Sequence, residues 1–194
     1  MKEHPILFSG EMVRAILDGR KTQTRRVIKF HTPAYSNPEF LAGCDLVSFS
    51  HENGAVFKDR ISFMVPIKCQ YGAPGDTLWV REAWKETQGE GLAYRATEPY
   101  MDGEPWRPSI FMPRWASRIA LSVKNVRVER VQNISQGDAM AEGTQGKHSF
   151  AVLWDIINAK RGFGWDINSW VWVVEFDVNN SRQACLEAEA ARGR

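Results

Sequence analysis

Three cysteines in 194 residues, Cys44, Cys69 and Cys185, are too few and too far apart for a disulfide framework. An odd set of separated thiols fits a reducing compartment, and a cytoplasmic protein is expected. Long apolar runs are missing as well. No stretch approaches the roughly 20 residues that cross a bilayer, so no membrane partner is expected. The N-terminus lacks the basic, apolar, small-residue succession of a secretory signal. His4, His31, His51 and His148 stand at no metal-ligand spacing to one another or to the cysteines, and neither metal nor cofactor is expected. There is no phosphate-cradling Gly-rich loop ending in Lys-Ser/Thr and no Gly-x-Ser-x-Gly elbow. Gly162-Phe163-Gly164 lacks the strand–turn–helix setting of a dinucleotide site. Charge of one sign is not in large excess: 25 Lys and Arg stand against 23 Asp and Glu, a formal net charge of +2. Any anionic partner must therefore be recognised locally.

What is present is an ordinary globular composition, 43% hydrophobic and 25% charged, with eight tryptophans as core anchors and candidate base-stacking groups. One domain over 1–180 followed by a tail at 181–194 is the simplest organisation at this length. The most informative stretch is Gly19-Arg20-Lys21-Thr22-Gln23-Thr24-Arg25-Arg26, four cations and no acid. A helix precedes it: Ser9 is an N-cap, Glu11 lies in the first turn, and Met12, Val13, Ile16 and Leu17 form one apolar stripe. Gly19 suits the C′ position, so the basic run starts on a bend where side chains converge. Phosphate is the commonest partner of such a cluster.

Further along, Leu46 to Ser50 and Ala55 to Lys58 flank Asn53-Gly54, a hairpin signal. Ile61 to Lys68 reads as an edge strand because of Pro66. Thr77 to Val80 is an apolar strand after the Pro74-Gly75-Asp76 turn. Residues 31–45, rich in Pro, Ser, Asn and Gly, read as a loop, and 85–112, with its Pro and Gly, as a long excursion with short strands at best. Alternation from Ile119 to Val128 predicts a long strand, or a hairpin bent near Lys124-Asn125. Ser135 with Asp138 caps a short helix that Gly143 ends. Ser149 is the expected cap of a second, whose stripe is Phe150, Leu153, Trp154 and Ile157. Trp170 to Phe176 alternates as a last strand. The whole is mainly β with peripheral helices, an α+β pattern of about six strands that suits an antiparallel barrel.

The basic run resembles the G-x-K-x-x-[E/T]-x-R signature of ASCH domains, small barrels of the PUA-like group associated with RNA, through Gly19, Lys21, Thr24 and Arg26. Its Lys-x-x-Thr form is similar to that of bacterial N4-acetylcytidine amidohydrolases. Gly75 to Glu82 looks like the family's central strand, and Pro113 to Ile119 and Leu153 to Asn158 resemble segments of longer ASCH proteins of phages and prophages. The resemblance implies a PUA-like barrel, with insertions near 31–64 and 85–112 relative to the minimal amidohydrolases, and an RNA or modified-nucleoside partner. It also implies a catalytic set of Lys21 as base, Thr24 as nucleophile or water-positioner, and Glu82, at the matching strand position, as proton donor. Arg26 or backbone amides would hold the oxyanion.

Beside this stand plainer readings. Lys21 with Arg20, Arg25 and Arg26 can be a phosphate grip, and Glu82 can be a structural ion pair. Arg81, Arg114, Trp115 and Arg118 form a second candidate nucleic-acid contact, since Arg beside aromatics grips phosphates and stacks on unpaired bases. Three functions remain open: an amidohydrolase of acylated nucleobases, a non-catalytic RNA-binding regulator of phage or prophage origin with Lys21 exposed in an open groove, and a ribonuclease with acids beside that groove that recruit a divalent ion. The oligomeric state is left open.

Overall fold

A computed structural model of the chain describes residues 1–29, 38–59, 64–87, 91–99 and 105–179. Its spine is a five-stranded sheet in the spatial order β1 (Glu3–Leu7), β6 (Thr77–Arg81), β9 (Ala120–Arg130), β10 (Trp170–Asn179) and β2 (Gln23–Val27). β3 (Asp45–Ser50), β4 (Gly54–Lys58) and β5 (Met64–Ile67) form a second sheet, and β7 (Trp84–Glu86) pairs with β8 (Leu92–Tyr94). The helices are α1 (Gly10–Leu17), α2 (Pro38–Ala42), α3 (Gln136–Ala141) and α4 (Lys147–Asn158).

β10 organises the packing. Successive strand residues face opposite sides of a sheet. On one side Trp172, Val174 and Phe176 join a core with Ile6, Ile16, Phe57, Leu78 and Leu121. On the other, Val171 and Val173 pack with Ile134, Phe150, Trp154 and Phe163 beneath α3 and α4. Both faces being covered, β10 is apolar at successive positions from Trp170 to Val174. Its partner β9 runs unbroken. The register shifts between Glu175 and Phe176, which pair with Asn125 and Val123, so Lys124 is the extra residue of a bulge and the chain does not turn there.

The mainly β, α+β architecture agrees with the sequence. The closed antiparallel barrel of about six strands does not: the described residues hold ten strands in three open sheets. β1 also pairs with β6 in parallel, from Glu3↔Thr77 to Leu7↔Arg81. Parallel neighbours need a long crossover, and the chain from α1 through β5 supplies it. The edges β1 and β2 approach each other without a ladder. An Arg26 side-chain N–H donates to the Leu7 carbonyl at 2.6 Å, so a guanidinium spans the gap a barrel would close with backbone bonds.

Several local expectations shift. β2 begins at Gln23 and takes in Thr24, Arg25 and Arg26, so the basic run bends only at Arg20 and Lys21 before continuing as a strand. Polar partners for the buried Gln23 and Arg25 override the low strand propensity of a charged segment. α4 starts three residues early, capped at Gly146, with Ser149 inside it. Ser9 stands at the N-cap of α1 without a side-chain bond. Ser135 caps α3 as expected, its Oγ accepting from the Asp138 amide at 3.0 Å. β5 lies at the edge of its sheet, with Pro66 opposite Val56. The loop expected at 31–45 holds α2 and ends at β3; its part at 31–37, the expected strand start at Ile61 and the tail at 181–194 lie outside the described residues. No helix among them is long and apolar enough to cross a membrane.

Candidate active site

α1 ends at Asp18, and Gly19, at φ +71°, reverses the chain so that the Lys21 amide donates back to the Ala15 carbonyl at 2.9 Å. The turn aims Lys21 inward. Its Nζ donates to Oε2 of Glu142 at 2.7 Å and to the Glu142 carbonyl at 2.8 Å. Lys21 is 2% and Glu142 4% exposed, so the pair is shut off from bulk water. The Phe8 ring lies 5.7 Å from the ammonium. Burial pulls the Lys21 pKa below the ordinary lysine value; Glu142 opposes this, and Arg26 and Arg25 add to it. Glu142 is the C-cap of α3. The next residue, Gly143, sits at φ +86°, where an added Cβ would stand 3.0 Å from the Ala15 Cβ and 3.3 Å from the Lys21 Cβ. Only glycine lets α3 end this close to α1 and Lys21.

Arg25 fixes the carboxylate from the other side. Its side chain is fully buried and reaches Glu142 at 3.3 Å, Glu129 at 2.9 Å and Asp138 at 3.4 Å. Arg127 ties Glu129, Asp138 and Glu175 into the same lattice. Arg25 is thus a structural clamp, far from the solvent-facing phosphate contact its sequence setting suggests. Its role is to hold Glu142 still and to share its charge.

A cavity of about 550 Å³ opens beside the pair, within the range of small-molecule sites. Lys21, Thr24 and Glu142 line it together. Phe8, Tyr71 and Trp154 supply flat apolar walls, and Arg26, Lys29 and Arg161 supply further cations. Arg26 lies over the Phe8 ring at 4.9 Å. Burial depresses its pKa first, Tyr71 and Glu142 oppose that, and Arg161 adds to it. A buried amine hydrogen-bonded to a carboxylate, beside a hydroxyl and a guanidinium, can move a proton and steady a negative oxygen.

The other candidates stand apart from this cavity. Glu82 is buried but absent from the cavity lining, and Arg118 grips it through two bonds of 2.9 and 3.1 Å. Desolvation raises the Glu82 pKa, and the Arg118 fork counters it. Arg118 also stacks on Tyr94 at 4.1 Å. Arg81 bonds the carbonyls of Met112, at 3.1 Å, and Ile110. Arg114 forks Glu3 at 2.7 and 2.8 Å. Trp115 is 59% exposed and meets Trp84 edge-on at 5.7 Å. Arg20 pairs with Asp18 at the surface. The Arg81, Arg114 and Arg118 contacts knit β1, β6 and the 105–118 segment together.

The structure thus brings Lys21, Thr24, Arg25 and Arg26 to one cavity and adds Glu142, which the sequence reading passed over. One signal pointed to it. A carboxylate at the C-terminal end of a helix opposes the macrodipole, which a cation beside it offsets. Among the described residues no group of three or more His, Cys, Asp or Glu side chains is placed to hold a metal ion.

No protein-family model matches the chain, and no curated protein does. Among solved structures the chain is similar to the crystal structure of protein EF3133 from Enterococcus faecalis V583, a DUF984 protein. The two share 10% identity at a TM-score of 0.45, over 92% of this chain and 80% of that one.

Proposed function

We propose that the cavity binds a nucleobase and hydrolyses an acyl amide on its exocyclic nitrogen, with N4-acetylcytidine as the type substrate, and that the chain is an ASCH-like protein of the PUA-like group. The carrying observation is the buried Lys21–Glu142 pair opening on a cavity that Thr24 also lines. An RNA-binding groove needs Lys21 at the surface, and a ribonuclease needs acids along an open groove. The burial of Lys21 favours the enclosed site over both.

The proposed chemistry follows from the pair. With the shared proton on Glu142, the Lys21 amine is a free base. It takes a proton from the Thr24 hydroxyl, or from a water that Thr24 holds. The freed oxygen forms a bond to the acyl carbon, and the carbonyl π pair moves onto its oxygen beside the Arg26 guanidinium. When the tetrahedral centre collapses, the carbon–nitrogen bond breaks. The departing nitrogen takes its proton from the Lys21 ammonium, and Glu142 ends as it began. If Thr24 itself attacked, water then cleaves the acyl-threonine by the same relay. Either route consumes one water and yields the carboxylic acid and the amine. Proton donation is assigned to Lys21 and Glu142 in place of Glu82, because Glu82 faces Arg118 outside the cavity.

The test is incubation of the purified protein with N4-acetylcytidine, with cytidine release followed by chromatography. Release that falls at least about 100-fold in both Lys21→Ala and Glu142→Gln supports the scheme. No release by a protein with native circular dichroism would refute it.

A further inference from the structure

The cavity carries more positive charge than its one acid can balance. Its charged lining residues are Lys21, Arg25, Arg26, Lys29 and Arg161 against Glu142. Glu142 is taken up by Lys21 and Arg25, and Arg25 has Glu129 and Asp138 besides. Among the described residues no acid pairs with the other three cations. Arg26 donates to the Leu7 carbonyl, but its Nε is buried with no partner. Lys29 lies over the Phe163 ring at 5.6 Å, and Arg161 reaches only the Asn158 amide oxygen at 3.5 Å. Burial depresses the Lys29 pKa, and Arg161 adds to this, so the two repel. Uncompensated like charges turned into one cavity are disfavoured unless an anion joins them.

We propose that Arg26, Lys29 and Arg161 form an anion subsite, and that the ligand of this cavity carries a terminal phosphate monoester. Exposure along the cavity gives the orientation. Lys21 and Thr24 are buried, whereas Lys29 and Arg161 are exposed. The phosphate therefore sits at the mouth and the reacting end lies inside. Two guanidinium groups and an ammonium match a phosphate dianion, which offers three oxygens to forked and point donors together. Gln70, Tyr71 and Ser109 line the same cavity and offer neutral donors. That the phosphate's other half is a nucleoside rests on the function proposed above; the anion subsite itself does not.

The experiment is isothermal titration at constant ionic strength with cytidine, cytidine 5′-monophosphate, ribose 5-phosphate and a 5′-phosphorylated cytidine trinucleotide. The expected result is a preference for the monophosphate over cytidine of about tenfold or more. That ratio collapses towards one in Lys29→Ala/Arg161→Ala, two exposed positions whose loss leaves the core intact. Equal affinity of cytidine and its monophosphate in the native protein, or a ratio that survives the double variant, would overturn the subsite. Ribose 5-phosphate binding that needs Lys29 and Arg161, without cytidine binding, upholds the subsite and removes the nucleoside reading. The trinucleotide binding as tightly as the monophosphate assigns the phosphate to a strand end; binding of the monophosphate alone assigns it to a free nucleotide.

Discussion

Removing the charge of Glu142 should destabilise the fold more than removing Lys21, although both changes break the same ion pair. In Glu142→Gln the Lys21 ammonium keeps the carbonyl at 2.8 Å and an amide oxygen in place of the carboxylate, but loses its counter-charge. Arg25 is little affected, since Glu129 and Asp138 remain. The penalty falls on Lys21, buried and unpaired, at about 3–5 kcal/mol. In Lys21→Met the carboxylate still has Arg25 at 3.3 Å. It loses one charged hydrogen bond, a cost of about 1.5–3 kcal/mol, and the Glu142 carbonyl loses its bond from Nζ as well. The double variant carries no orphan charge, so it should fall short of the summed costs by about 2 kcal/mol. Urea unfolding of the four proteins at pH 7 measures the cycle. Additivity within about 0.5 kcal/mol would refute the buried pair.

The same variant fixes a pH dependence. Burial holds the folded Lys21 pKa below that of the unfolded chain, near 10.4. Between the two values the unfolded state binds the extra proton, so stability rises with pH through that window and levels off above it. Without Glu142 to oppose burial, the folded value falls further and the window widens downward. The Glu142→Gln deficit should therefore be smaller at pH 9.5 than at pH 7. A deficit unchanged across that range would show that Lys21 is not the group that suffers.

Gly143→Ala forces a Cβ against Ala15 and Lys21 at positive φ, and should cost about 1–3 kcal/mol in urea unfolding. The proposed amidase activity should drop with it, and unchanged stability would refute the close approach. Burial pushes the Cys69 thiol up to about 11. Cys69 should then react with iodoacetamide at pH 8 far more slowly than a free cysteine. An unfolded thiol ionises first, so its contribution to stability is whole below about pH 8.5 and lost as pH rises through 11. Cys69→Ser should remove that loss, and an unaltered alkaline profile would count against it.

Local chemistry made much of this fold readable. α1, α3 and β9 announce themselves by caps, C′ glycines and apolar periodicity, and the Gly19 bend predicts where Lys21 begins. Long-range pairing was not readable. β1 is five residues with a proline, and it becomes a strand only because β6 offers a parallel edge 74 residues later. The antiparallel barrel was inferred from strands that each looked sound alone, whereas closure depends on how β1 and β2 meet. There a guanidinium on Leu7 replaces the ladder. The site divides along the same line. Lys21 and Thr24 lie on one short motif, but Glu142 reaches Lys21 across 121 residues. Its place at the C-terminal end of α3 was a weak hint, and the resemblance favours Glu82, the residue on the strand. What separates the two carboxylates is the cation each one faces. Glu82 meets an arginine, whose proton is not exchanged near neutrality. Glu142 meets Arg25 too, but its shorter bond is to a buried lysine whose proton is loosened by the same burial that forms the pair, and a proton relay needs such a lysine.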